Sequence, residues 1–234
     1  MFAVYKRELR SYFTTAIGYV CLAVFLIFFN LFYALMLRNN SSDVTQLFNG
    51  MNLYFIMLFI PILTMKLFSE EKRNRTEQLL LTSPVKLIGI VLGKFLSAFS
   101  LFALGIIITL PNMVILSFIG TPDLWVMVGN YTGILFLGAA LIAIGIFVSG
   151  LTENQVVSCI TSFAILFMFM IIDQVANIIP FPIITKLLGL ISLYNRYGDF
   201  IVGIFNPVSI LYYISVMAIF LFLTVRMLDK RRWG

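Results

Sequence analysis

The residues of this chain that could do chemistry are few, and most stand together. Between positions 68 and 85, in FSEEKRNRTEQLLLTSPV, lie Glu70, Glu71, Lys72, Arg73, Arg75 and Glu77, more than a fifth of all the charged side chains. Charge at that density is not stable in hydrocarbon, so the stretch belongs in water at one face of a membrane. What it offers is ionic docking: a polar, helix-forming loop between apolar stretches supplies ion pairs and hydrogen bonds, but no nucleophile. Ser69 ahead of Glu70 and Glu71 predicts a capped, acid-first helix start, and Ser83-Pro84 its stop. The chain has no histidine, which removes histidine triads, proton relays and most zinc sites. No Gly-x-x-x-x-Gly-Lys-[Ser/Thr] phosphate loop occurs, and 89–94 fails its spacing. No catalytic, cofactor-binding or metal-ligating residue is expected, and the chain reads as not an enzyme. Cys21 and Cys159 fall in apolar stretches and read as small buried hydrophobes. Asp173, with Gln174 and Asn177 nearby, is the one clear acid deep in an apolar stretch, a functional hypothesis by default. Its position 17 residues after Val156 is about 26 Å along a helix, near the far surface. There a structural role, capping or bonding to the segment that follows, is favoured over proton coupling.

The elements that must position these residues are set by hydropathy. Of 234 residues, 61% are hydrophobic and only 11% charged, with a mean hydropathy of +1.04. Soluble chains carry about a quarter charged residues, so this is an all-α integral membrane protein, a single membrane domain over 1–234. Apolar runs at 16–37, 51–68, 86–119, 124–151, 156–179 and 207–228 predict six spans of about 20 residues or more. No removable leader is expected at the start. Residues 1–15 place Phe2, Tyr5, Leu9, Tyr12 and Phe13 at helical spacing among charges, the pattern of an amphipathic interface helix. A polar loop is expected at 38–50. Pro61 should kink the second span and Lys66 should snorkel to the surface. The 34-residue run at 86–119 would extend about 50 Å, beyond the ~30 Å core, so it must bend or project, with Lys94 on the projecting part at the interface. Gly133, Gly138 and Gly145 form no strict Gly-x-x-x-Gly repeat and predict close packing only weakly.

Residues 180–206 are too apolar for an ordinary loop and too broken by Pro180, Pro182, Gly189, Gly198 and Gly203 for a span. Re-entrant helices on the extracytoplasmic side are the physical solution. With six spans, thirteen of the sixteen Lys and Arg residues fall on the side of the termini, leaving Arg38, Lys186 and Arg196 opposite. The positive-inside rule makes that side cytoplasmic. The basic residues mark span ends, so no nucleic-acid partner is expected despite the +6 net charge.

MKLFSEEKRNRTEQLLLTSPV, ending at Val85, resembles the first cytoplasmic loop of type-2 ATP-binding-cassette (ABC) exporter permeases. Leu151-Thr152-Glu153-Asn154-Gln155, Ser192-Leu193-Tyr194 to Asp199-Phe200, and Val225-Arg226-Met227-Leu228 before Arg231-Arg232-Trp233 extend the likeness in family order. It is most like the gliding-motility-type small permease subunits. The resemblance implies a six-span, cell-membrane (inner or plasma membrane) subunit with an interface helix at 1–15, a coupling helix in the 68–85 loop and re-entrant helices before the last span. It implies a second permease copy, identical or closely related, two cytoplasmic ABC ATPase subunits that carry the ATP and Mg, and room for an auxiliary membrane or extracytoplasmic subunit. Glu70, Glu71, Lys72, Arg73, Thr76, Leu79 and Leu80 would form the ATPase-coupling surface, and an apolar pathway would suit a hydrophobic, lipid-like or peptide substrate. Two departures stand out: Gln78 where relatives carry Glu, and Arg75 where many carry Gly. Two other classes compete: a membrane scaffold or assembly protein docking a cytoplasmic partner through the same loop, and an ion-coupled carrier using Asp173.

Overall fold

The computed structural model describes residues 1–39, 43–48, 51–78, 85–178, 189 and 192–233, with backbone alone at 51–52, 173–178 and 233. The described residues are helical, without strands. In chain order they form α1 (Phe2–Thr14), α2 (Ala16–Arg38), α3 (Thr45–Phe48), α4 (Met51–Thr64), α5 (Lys66–Arg73) and α6 (Leu87–Ile108). There follow α7 (Leu110–Ile119), α8 (Leu124–Leu151), α9 (Gln155–Ile178), α10 (Leu193–Ile201) and α11 (Pro207–Trp233). Among the described residues, six spans are long and apolar enough to cross a membrane: α2, α4 with α5, α6 with α7, α8, α9 and α11.

The bundle is built around α8, most of which is buried. Its glycines let neighbours approach closely, which the irregular spacing concealed. A Cβ at Gly129 would stand 2.7 Å from the Phe200 carbonyl oxygen and 2.8 Å from Gly203 Cα, while Gly138 is pressed by Phe102, Gly145 by Thr64 and Gly150 by Met227. Gly203 itself turns the chain at φ +79°, a conformation that favours glycine. Between tail-like apolar surfaces, small residues supply the close packing that water would otherwise drive.

The third apolar run is interrupted once: helix breaks at Thr109, two residues before Pro111, whose missing N–H and ring disfavour continuation. The second span breaks at Met65, four residues after Pro61. Here Ser149 of α8 inserts its hydroxyl, donating to the Met65 carbonyl (2.9 Å) and lying 3.2 and 3.3 Å from the Phe68 and Ser69 amides. A side chain entering the helical ladder is a recognised cause of a bend. Ser69 is therefore no N-cap. It sits buried inside α5, bonding back to Met65, because the second span simply continues past its break.

Within 38–50, α3 turns Leu47 and Phe48 into the core, where Phe48 meets Tyr131 edge-on at 5.0 Å. Of 180–206, the described helix is α10, with Tyr197 and Phe200 packed on Gly133 of α8. Asp199 accepts from Asn206 (3.0 Å) and Ser209 (2.7 Å), fastening α10 to the start of α11. The last helix runs on through the basic stop to Trp233.

Candidate functional site

The polar end of the bundle is organised by α1, which lies across α6. Gly89 and Gly93, four apart, make the seat: a Cβ on Gly93 would be 3.0 Å from Val4 Cβ and 3.1 Å from the Met1 carbonyl oxygen. The residues that fail as a phosphate loop thus serve as a small-residue groove for a crossing helix. On α1 the face turned inward is Val4, Glu8 and Tyr12, one turn apart, with Phe2 outward. The predicted amphipathic helix is present, but its inner stripe contains an acid.

That acid meets Lys94. The Lys94 ammonium is fully buried and lies 3.1 Å from Glu8 Oε1, 2.9 Å from Glu71 Oε2 and 2.5 Å from the Leu67 carbonyl oxygen, with the Phe68 ring 4.9 Å away. Arg7 completes the set, with Nη2 at 2.5 Å from both Glu8 and Glu71. Two cations and two anions from α1, α5 and α6 form a neutral group, and this neutrality is what makes burial tolerable. A lone charge there would cost several kcal/mol. Burial pushes the Glu8 carboxyl upward, but the Lys94 charge and the Arg7 hydrogen bond outweigh it and hold Glu8 below its ordinary value. Tyr12, fully buried, is driven well above the phenol range by desolvation, and its hydroxyl donates to the Leu63 carbonyl (2.8 Å).

Lys94 is therefore not exposed, because α1 covers it. Lys66 does not snorkel either: it is buried with its ammonium 4.1 Å from the centre of the Tyr12 ring. Both lysines exchange water for fixed partners.

Among its described residues, the charged loop is tied down through Glu71, Lys72 and Glu77. Glu71 joins α1 and α6 as described; Lys72 pairs with Glu153 in the α8–α9 turn (3.1 Å); Glu77 pairs with Arg231 of α11 (3.0 Å), which also donates to the Gly150 carbonyl (2.8 Å). Glu70, Arg73 and Thr76 remain exposed, with Arg75 and Gln78 beside them. Helix α5 ends in a Schellman turn: the Thr76 amide donates to Glu71 (2.9 Å) and the Arg75 amide to Lys72 (3.1 Å). Arg75 takes φ +57°, the left-handed conformation that glycine adopts without cost. The residue expected to be small is a strained arginine. Helical backbone resumes at 77–78, whereas Leu79 and Leu80 lie outside the described residues.

The predicted coupling residues thus divide into an inward pair, Glu71 and Lys72, and an outward set, Glu70, Arg73 and Thr76. Reading the loop alone missed Arg7, Glu8, Lys94 and Ser149. A signal for Glu8 existed in its i±4 register with Val4 and Tyr12. Asp173, Gln174 and Asn177 fall in the last two turns of α9, and their side chains lie outside the described residues. Among the described residues no group of His, Cys, Asp or Glu could hold a metal.

Six spans closed at one end by a neutral ionic knot, with a charged loop riding on it, define a multi-pass membrane bundle of the permease type. The family model for ABC-2 family transporter proteins matches residues 2–232, and the chain belongs to that family. No curated protein matches the chain. Family membership makes it a membrane component of a transporter and implies cytoplasmic ABC ATPase subunits and a second permease copy as partners.

Proposed function

We propose that this chain is the permease subunit of an ATP-driven exporter in the cell membrane, with both termini cytoplasmic. Thirteen of its sixteen basic residues lie on the side of the termini, which favours that orientation. ATP and Mg would be held by two partner subunits docking on the exposed face of the 68–85 loop, through Glu70, Arg73, Thr76 and their neighbours.

The observation that carries this reading is the wiring behind that face. Glu71 bonds into α1 and α6, Lys72 to the α8–α9 turn and Glu77 to α11. A displacement of the loop by closing ATPase subunits would be passed to several spans at once, shifting the population of inward- and outward-open states. The pathway would form with a second copy. The face of α9 bearing Ile160, Phe163, Phe167 and Ile171 lines an open apolar groove and is the surface we assign to that copy. A hydrophobic cargo fits such walls.

The test is co-purification. An ATPase subunit bearing a phosphate loop should be recovered at one per permease, and Arg73→Glu with Arg75→Glu should abolish recovery while leaving the permease monodisperse. Recovery unchanged by both reversals would remove the exposed face from docking.

A further inference from the structure

The outer surface of the bundle carries a groove that the transport reading does not use. Near the basic end, Ile88 and Leu92 of α6 face Leu221 and Val225 of α11 across a cavity of about 400 Å³, with Arg226 and Asp229 at its mouth. Deeper, Phe95 and Phe99 of α6 face Met217 and Ile214 of α11 over a floor of α8 residues, enclosing about 420 Å³. The lining advances one turn at a time along both helices, so the two cavities lie in one line. From 88 to 99 on α6 and from 229 to 214 on α11 the rise is about 17 and 22 Å, somewhat more than half of the ~30 Å hydrocarbon core. The groove spans one leaflet.

Its walls ask nothing polar of an occupant. Thr132 donates to the Val128 carbonyl (2.8 Å) and Tyr213 to the Leu193 carbonyl (2.7 Å), so both lining hydroxyls are satisfied internally. The mouth is different. The Arg226 guanidinium stands 5.2 Å from the centre of the Phe222 ring, two-thirds exposed, and its nearest acid, Asp229, is 3.9 Å away at the limit of an ion pair. Lys230, also exposed, lies one turn after Arg226 on the same side of α11, so two cations stand there against one acid.

We infer that this groove binds one anionic glycerophospholipid from the leaflet at the basic face, its acyl chains along α6 and α11 and its phosphate at Arg226. Basic pockets between spans select anionic headgroups in this way. The inference does not depend on ATPase docking.

The test is native mass spectrometry of the full chain in detergent, titrated with dioleoyl phosphatidylglycerol or dioleoyl phosphatidylcholine, which share their chains. One phosphatidylglycerol should be retained with about fivefold preference, the attraction of one interfacial cation. Arg226→Gln should erase the preference yet keep phosphatidylcholine binding. Ile214→Trp, at a position 41% exposed, should lower retention of both lipids while eluting as a single species. Arg232→Gln should change neither. Equal retention of the two lipids by the wild type would overturn the site. So would a loss with Arg232→Gln as large as with Arg226→Gln, displacement by millimolar glycerol 3-phosphate, or a two-chain species that excludes lipid.

Discussion

Replacing Lys94 by Met keeps the unbranched apolar stem and deletes the charge, so it isolates what the ammonium does. Glu8 and the Leu67 carbonyl lose a hydrogen-bond donor, and Glu71 loses an ion-pair partner. Removing one partner of a buried ionic group costs about 3–5 kcal/mol, and because Arg7 still reaches both carboxylates the lower end applies, about 3 kcal/mol. The sharper measurement is the cycle with Glu71→Gln. The double variant retains one cation, Arg7, and one anion, Glu8, so the buried set is neutral again. It should cost about 2 kcal/mol less than the sum of the single changes, within the range found for residues in one network. The assay is equilibrium unfolding in mixed micelles with increasing dodecyl sulfate, followed by tryptophan fluorescence. A Lys94→Met midpoint within about 0.5 kcal/mol of wild type, or additive single changes, would refute the claim that this cluster holds α1, α5 and α6 together.

Four further outcomes are expected. The Glu8 carboxyl is held below its ordinary value of 4.5, so its stabilising contribution is complete above that pH and is lost as pH falls through the lower folded value. The difference in unfolding midpoint between wild type and Glu8→Gln should accordingly shrink on acidification from pH 6 to below 4. Arg75→Gly should raise stability by about 0.5–1 kcal/mol, because relief of a left-handed residue exceeds the added chain entropy, whereas Arg75→Val should lower it in the same titration. Ser149→Ala strips a partner from the Met65 carbonyl and the Phe68 and Ser69 amides and should cost about 1–3 kcal/mol. In a background with Cys21→Ala and Cys159→Ala, Ile160→Cys should cross-link between copies in native membranes. A uniformly monomeric product would remove the α9 face from the dimer.

The spans were legible because hydrophobic length is a local property: 124–151 is helix α8 residue for residue, and the overlong run 86–119 breaks at Thr109, two residues before Pro111. The polar end was legible in composition but not in direction. Lys94 reads as interfacial when only its distance from the end of the apolar run is considered, and nothing near it in sequence announces that α1 will cross over Gly89 and Gly93 and seal it in. Glu71 stands in a run of charges and looks like its neighbours, yet its partners are 64 residues before it and 23 after. Ser69 follows every local rule for a cap and is overridden by Ser149, a residue from another span. Pairings of this kind are tertiary, and a one-dimensional pattern carries them only as oddities: an acid in an apolar stripe, a lysine beside two spaced glycines, an arginine where the turn wants glycine.

Glu8 and Lys94 are separated by 86 residues. At roughly 5–20 residues per second of synthesis, Lys94 is made some 4–17 seconds after Glu8, and α6 must then enter the bilayer before the two can meet. Of the two, the helix made earlier therefore completes its docking late. Until the third span arrives, α1 lacks its seat on Gly89 and Gly93 and Glu8 lacks Lys94, and only the second span offers it partners, the Leu63 carbonyl and Lys66 at Tyr12 and Glu71 at Arg7. Closure of the ionic knot then reports that the first half of the chain has been inserted in the correct order.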